Sequence, residues 1–261
     1  MDLELADKRV LVTGGASNIG RAISFAFAKE GAVTIVADHD VAQTERTVDE
    51  IVSRGGVAYP IILDVTDLEA VKTQVAHIEA EIGPIDILVN NVGWNGHQEF
   101  FLNLGPERWE KSFRLNLFSN FCMTQAVLPA MVERRSGSIV SISSDAAFGD
   151  YRVADYGAMK AGVLSFTRSI AKEYGRYGIR ANAITPGMVI PPPEEIGEGS
   201  FWSVDTGLGP AQIANIEERS ALRRRTEAAD VAWATLFFAS ERSRQLTGQV
   251  LSVSGGFQMP R

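Results

Sequence analysis

With 261 residues, 45% hydrophobic content and one cysteine, Cys122, the chain is long enough to bury a sizeable core but can hold no intrachain disulfide or cysteine-based metal site. A net charge of −7 and a pI near 5.1 leave it without the basic face that electrostatic nucleic-acid binding requires. No apolar run reaches the roughly 18 residues of a membrane span, the start "MDLELADKRV" is acidic rather than signal-like, and His39, His77 and His97 lack ligand spacing; a cytoplasmic protein without metal, membrane or nucleic-acid partners is expected.

Short β-rich runs alternate with longer amphipathic segments from one end to the other. "RVLVTGG" (9–15) leads into "RAISFAFAKEG", a helical pattern that ends in glycine. "VTIVAD" (33–38) leads into "DVAQTERTVDEIVSRGG", which opens on the acidic cap Asp40. Then come "AYPIILDV" (58–65), "IDILVNNVG" (85–93), "GSIVSISS" (137–144), "IRANAITPG" (179–187) and "GQVLSVSGG" (248–256). Several of these are nearly all apolar, as strands covered on both faces should be. The alternation predicts an α/β Rossmann fold: a doubly wound, seven-stranded parallel sheet with helices on both faces, as a single domain over 1–261. Residues 188–225 break the rhythm with three successive prolines and several glycines. Following the C-terminal end of a strand, where open α/β sheets bind ligands, this irregular insert is expected to be a substrate lid.

The stretch "VLVTGGASNIGRAIS" passes from a strand through a glycine-rich turn into a helix, the context that a dinucleotide-binding turn needs. Gly14, Gly15 and Gly20 let the backbone approach a pyrophosphate, which then sits on the amides at the helix start. Asn18 stands where glycine is expected, and asparagine tolerates left-handed backbone better than most residues. Asp38, ending the second run, is placed to accept hydrogen bonds from both ribose hydroxyls and to repel a 2′-phosphate, which favours NAD over NADP. Its alternative duty, capping the next helix, is already filled by Asp40.

In order, "TGGASNIG" (13–20), "LDV" (63–65), "NNVG" (90–93), "FRLNLFS" around Asn116, "ISS" (142–144), "YGAMK" (156–160) and "ITPG" (184–187) resemble the motifs of the short-chain dehydrogenase/reductases of the classical type, over nearly the whole chain. The resemblance implies cofactor contacts from Gly14, Ser17, Asn18, Ile19 and Gly20, from Asp64 and Val65 around the adenine, from Asn91 and Gly93, and from Pro186, Gly187 and Val189 near the nicotinamide. It also implies a homotetramer built on paired long helices (about 106–133 and 155–177) and the C-terminal strand region. Two departures stand out. One residue fewer than the family's usual spacing separates Ser144 from Tyr156, and Ser143 would restore the count, although the "ISS" context favours Ser144. Pro191 occupies the place of a threonine that touches the carboxamide in the family.

Tyr156 and Lys160 are i and i+4 on one helix face. A free tyrosine, with a pKa of about 10, is a poor base near neutrality, and the lysine is expected to lower it by stabilising the phenolate. On the family's pattern Tyr156 is the acid/base, Lys160 tunes it and reaches the ribose, Ser144 holds the substrate oxygen, and Asn116 holds a water that completes a proton relay. Gly157, Ala158 and Gly162 are expected to keep that face low for the cofactor. Trp94, Asp145, Ala146, Tyr151 and Met188, with Phe201 and Trp202 of the lid, would line a pocket for a hydrophobic or cyclic alcohol. These aromatic residues equally suit lid packing or a subunit contact. Arg223 and Arg225 in "LRRRTEAADVA" are either a solvated turn or a site for an anionic handle such as a coenzyme A phosphate. The expected activity is an NAD(H)-dependent interconversion of secondary alcohol and ketone. The alternatives are a dehydrogenase of a cyclic hydroxyacyl-CoA ester, a non-redox isomerase or dehydratase using the same pair, and a non-catalytic nucleotide sensor.

Overall fold

Val10, Leu11 and Val12 have no solvent exposure, nor do Ile35, Val36, Leu88 and Val89, which is the condition of strands covered on both faces. The computed structural model describes residues 2–192 and 209–259. Over these the chain runs β1 (Arg9–Thr13), α1 (Asn18–Lys29), β2 (Val33–Asp38), α2 (Val41–Ser53), β3 (Val57–Ile62), α3 (Leu68–Glu81), β4 (Ile87–Asn90), α4 (Pro106–Phe113), α5 (Ser119–Arg134), β5 (Gly137–Ile142), α6 (Ala154–Tyr174), β6 (Ile179–Pro186), α7 (Pro210–Arg219), α8 (Ala228–Ala239) and β7 (Val250–Val253). The strands form one sheet in the order β3-β2-β1-β4-β5-β6-β7, with every neighbouring pair parallel. This is the doubly wound arrangement that the alternation of elements implied.

The alternation of side chains along β1 serves both layers. Leu11 packs with Val75, Ile78, Met123, Met131 and Ile170, from α3, α5 and α6. Val10 and Val12 pack with Ile23, Phe27, Val231 and Leu236, from α1 and α8 on the other face. Val48 and Ile51 of α2 extend that second layer over β2 and β3. Each such side chain, fully buried, contributes about 1.5–3 kcal/mol, so the two layers carry the fold.

Helix starts follow local chemistry. The carboxylate of Asp40 caps α2 by accepting from the Gln43 amide at 3.1 Å, and that of Asp67 accepts from the amides of Glu69 and Ala70 to cap α3. Pro106 and Pro210 open α4 and α7, where a missing amide costs nothing. The segment expected as one long helix at about 106–133 is α4 and α5 joined by a π-helical turn over Arg114–Phe118. By length and composition this continuous helix would pass for a membrane span, but half of its most apolar window is buried, with Cys122, Met123, Val127 and Met131 spent on the sheet.

One expectation needs correction. The insert 188–225 is not irregular throughout, because 210–219 forms α7, and its far end is pinned to the exit of β7. There the Leu222 amide donates to the Gly255 carbonyl, and the Ser220 hydroxyl donates to the same carbonyl, each at 2.9 Å. Phe201 and Trp202 lie outside the described residues.

Candidate active site

The strands end two or three residues before several of the apolar runs do, and those leftover residues gather at the C-terminal edge of the sheet. Strand order reverses between β1 and β4, so the loops that follow them diverge and leave a crevice. Into it turns the glycine-rich segment. Gly14 has φ +60° and Asn18 φ +42°, so the asparagine does adopt the left-handed backbone expected of it. At Gly20 a Cβ would lie 1.9 Å from the Gly14 carbonyl oxygen, so only glycine fits. Ser17 precedes α1 without a side-chain cap bond to the first amides of the helix, and the Asn18 side-chain oxygen is buried without a partner. An uncapped helix start under a turn this low fits a pyrophosphate.

Neighbouring strands brace the turn. Asn91, just past β4, donates its side-chain amide to the carbonyls of Thr13 and Gly14 at 3.0 and 3.1 Å, and its backbone amide donates to the Thr13 hydroxyl. Asp38, at the end of β2, is buried and accepts from the amides of Ala16, His39 and Asp40. Burial pushes its pKa up, but hydrogen bonds from His39, Asp40 and Ala16 outweigh this and hold the carboxylate below its usual range. His39, which lacks metal-ligand spacing in the sequence, has its Nδ1 3.0 Å from Asp38 Oδ1, and this hydrogen bond raises the histidine's pKa. Adjacency in sequence was the only signal for the pair. The Asp64 carboxylate accepts from the Thr66 amide and hydroxyl, each at 2.8 Å, and Val65 between them is buried in the core layer with Val71 and Val75 of α3.

The second cluster stands where β5 ends and α6 begins. The Ser143 hydroxyl is spent on the Lys160 carbonyl at 2.8 Å, whereas the Ser144 hydroxyl accepts from the Ala146 amide at 3.2 Å and stands near enough to the Tyr156 phenol to favour its ionised form. Lys160 is 2% exposed and donates to the Ile142 carbonyl at 3.0 Å, with its Nζ 5.7 Å from the Tyr156 ring centroid. The expectation that this lysine lowers the pKa of Tyr156 is corrected here. Burial raises the phenol, the Ser144 hydroxyl only partly opposes it, and burial lowers Lys160 itself to about 8. At Gly93 a Cβ would come within 2.9 Å of Lys160 Nζ, so the backbone after β4 lies directly against the ammonium.

Asn116 sits in the π-helical turn, fully buried, and its side chain latches that same loop: Oδ1 accepts from the Trp94 amide at 2.9 Å and Nδ2 donates to the Trp94 carbonyl at 2.8 Å. The extra residue of a π turn rotates the side chain out of α-helical register toward β4, a common device at functional sites. After β6, Pro186 ends the strand and Gly187 donates to the Val253 carbonyl at 3.0 Å, while Val189 is buried with Val12, Ile23 and Val231. Pro191 is buried as well.

Among the expected pocket residues, Trp94 and Met188 are half-buried on loops at this edge, and Tyr151 is 69% exposed with its ring edge-on to Phe100 at 5.4 Å. Asp145 does not face open space. It is 4% exposed and accepts from the Ser252 hydroxyl of β7 at 3.1 Å, because its place after Ser144 turns it inward across the sheet; Ala146 is buried with it. Two of the small residues on α6 likewise serve packing rather than a cofactor. A Cβ at Gly157 would meet the Ala146 carbonyl at 2.6 Å, and one at Gly162 would meet Leu117 at 2.8 Å. Arg225 is paired with Glu217 at 2.7 Å, and Arg223 donates to the Glu218 carbonyl. Two cavities of about 310 and 300 Å³ open away from both clusters, one apolar beside Phe25, Ile51 and Trp233, the other polar beside Lys8, Asp86 and Arg180.

Known proteins share this organisation. The family model described as enoyl-(acyl carrier protein) reductase matches residues 14–258. The chain is 35% identical over 256 residues to the 3-oxoacyl-(acyl-carrier-protein) reductase FabG of Thermotoga maritima, covering 97% of this chain and 99% of that one. It is 33% identical over 257 residues to (2S)-((R)-hydroxy(phenyl)methyl)succinyl-CoA dehydrogenase subunit BbsD of Thauera aromatica, covering 97% of each. The crystal structure of gox2181 superposes with a TM-score of 0.88 at 32% identity, covering 98% of this chain and 97% of that one.

Proposed function

Because the chain belongs to the short-chain dehydrogenase/reductase family of oxidoreductases, we propose that it interconverts a secondary alcohol and a ketone with NAD(H), using Tyr156 as the acid/base. One observation carries this reading: a phenol close to the Ser144 hydroxyl, one helical turn from a buried lysine, beside a glycine turn shaped for a dinucleotide. When bound, a nicotinamide dinucleotide supplies the hydride donor and acceptor. Gly14, Ser17, Asn18, Ile19 and Gly20 hold its pyrophosphate, Asp38 its adenosine ribose, Asp64 and Val65 the adenine surround, Asn91 and Gly93 the middle, and Pro186, Gly187 and Val189 the nicotinamide end.

The chain's own groups handle the proton. Burial keeps Tyr156 protonated at neutral pH, so it stands ready to donate to a ketone oxygen that Ser144 orients. In the reverse direction the phenolate must form first against the burial that raises its pKa, and alcohol oxidation therefore gains from alkaline pH. Asn116 fixes the loop against which Lys160 lies, and the peptide of that π turn is the path proposed for resupplying the proton. Asp38 supports NAD over NADP, because a buried carboxylate held ionised repels a 2′-phosphate. Exposed Trp233 and Phe237 on α8 and Leu251 on β7 support assembly with further copies, in line with a homotetramer; light scattering on the purified protein tests that.

A second reading has support in the names of two relatives, one a reductase of acyl-carrier-protein thioesters and the other a dehydrogenase of a CoA ester. In it the alcohol or ketone is carried on an acyl thioester. One experiment addresses both: NADH production from a panel of secondary alcohols and hydroxyacyl-CoA esters, with wild type and Tyr156→Phe. Turnover is expected to fall by about 10²–10⁴ in the variant while NAD binding stays intact. Undiminished turnover by Tyr156→Phe rules out the proposed acid/base, and a kcat/KM far higher for thioesters than for their free alcohols selects the second reading.

A further inference from the structure

We propose that Arg108 is a positioning residue that locks the Trp94–His97 loop onto the start of the catalytic helix and so sets how the substrate's apolar body is held; this rests on the oxidoreductase reading above. Arg108 lies on α4, with its side chain 16% exposed, and its guanidinium serves three partners. Nε donates to Asp155 Oδ2 at 2.8 Å and Nη2 reaches Asp155 Oδ1 at 3.4 Å. Nη2 also donates to the Asn95 carbonyl at 2.9 Å, and Nη1 donates to the His97 carbonyl at 2.6 Å. Asp155, with its side chain 2% exposed, immediately precedes Tyr156. One side chain thus ties the loop after β4 to the residue beside the proposed acid/base.

Trp94 is gripped by the same helix. Its backbone is held on both sides by Asn116, and its ring lies under the Arg108 guanidinium at 5.5 Å and the Lys111 ammonium at 4.5 Å. Gly96, at φ +65°, closes the loop so tightly that a Cβ would meet the Trp94 ring at 2.8 Å and Arg108 Nη1 at 2.9 Å. The arrangement is expensive for what it adds to stability. A buried ion pair gains little over a well-packed apolar pair of the same volume, whereas removing one partner leaves an uncompensated charge. Such a pair earns its place by fixing geometry, and here the geometry fixed is that of Trp94 relative to Tyr156. A forked guanidinium can serve a carboxylate and two carbonyls together, which an ammonium cannot.

The test separates holding the fold from placing the tryptophan. The variant pair Arg108→Met with Asp155→Asn leaves no buried unpaired charge, so it is expected to stay folded, with a urea midpoint lowered only by the lost donations to the Asn95 and His97 carbonyls. In protein labelled with 5-fluorotryptophan, the Trp94 resonance, assigned with Trp94→Phe, should shift or broaden while those of the other three tryptophans stay in place. KM for cyclohexanol as probe should rise about tenfold, more than kcat changes. Arg108→Lys should show the same displaced resonance, since charge alone does not restore the fork. A Trp94 resonance and a KM that both match wild type in the double variant would overturn the proposal. If wild type turns over no alcohol at all, the oxidoreductase reading fails instead, and the fluorine spectrum alone decides the clamp.

Discussion

Lys160→Met is expected to change how stability depends on pH, by an amount that follows from burial. The amine is 2% exposed and its pKa falls from 10.5 to about 8 because burial disfavours the charged form. Below pH 8 both the folded and unfolded chains carry the proton, and the folded state bears a constant cost relative to a neutral amine. Between about 8 and 10.5 the unfolded chain still holds a proton that the folded chain has lost, so stability rises with pH across that window. The difference between the two values corresponds to about 3 kcal/mol. The hydrogen bond to the Ile142 carbonyl, lost in the variant, costs about 1–3 kcal/mol but does so at every pH, so it offsets the curves without changing their relative slope. Urea denaturation of wild type and Lys160→Met from pH 7.5 to 10.5 should therefore show wild type gaining about 3 kcal/mol on the variant. Curves that stay parallel across the window would refute the lowering of the Lys160 pKa by burial. The variant should lose turnover even where it is no less stable, because the charge that costs the fold is the one nearest the phenol.

Two further outcomes bear on the nucleotide end. Asp38→Ala should weaken NAD+ binding by about 10–100-fold, the range for a lost charged hydrogen bond, and narrow the discrimination against NADP+, as read by titration calorimetry with each dinucleotide. Since the carboxylate is held below its usual range while the His39 paired with it loses its positive charge as pH rises, the wild-type preference for NAD+ should persist down to about pH 5 and strengthen toward alkaline pH; a preference that weakens as pH rises would contradict the assignment. Gly20→Ala places a methyl group 1.9 Å from the Gly14 carbonyl and 2.5 Å from the Asn91 amide nitrogen. It should lower the melting temperature and abolish detectable NAD+ binding, and a variant with the native Kd would show that the turn is not the cradle.

Much of this molecule was decided locally. The nearly all-apolar runs of β1, β2 and β4 commit those segments to the middle of a parallel sheet, because neither face of such a strand is polar enough to turn to water. Asp40 and Asp67 mark helix starts by a side chain bonding amides two or three residues on, an interaction within a single turn. Gly14, Asn18 and Gly20 announce the turn because few other residues tolerate its backbone. The i, i+4 spacing likewise puts Tyr156 and Lys160 on one face with no reference to the rest of the chain.

What each side chain does with its charge was decided only in three dimensions. Whether Lys160 lowers the phenol or is itself lowered depends on what buries it, and the Ile142 carbonyl and Gly93 that press on it come from β5 and the loop after β4. Asp145 reads as a pocket residue until β7 brings Ser252 to it, and Gly157 and Gly162 read as cofactor space until Ala146 and Leu117 close on them. Arg108 and Asp155 lie 47 residues apart and become one device only when α4 and α6 are set side by side. Periodicity and turn chemistry act over a few residues, whereas desolvation and ion pairing depend on whichever groups the fold brings near.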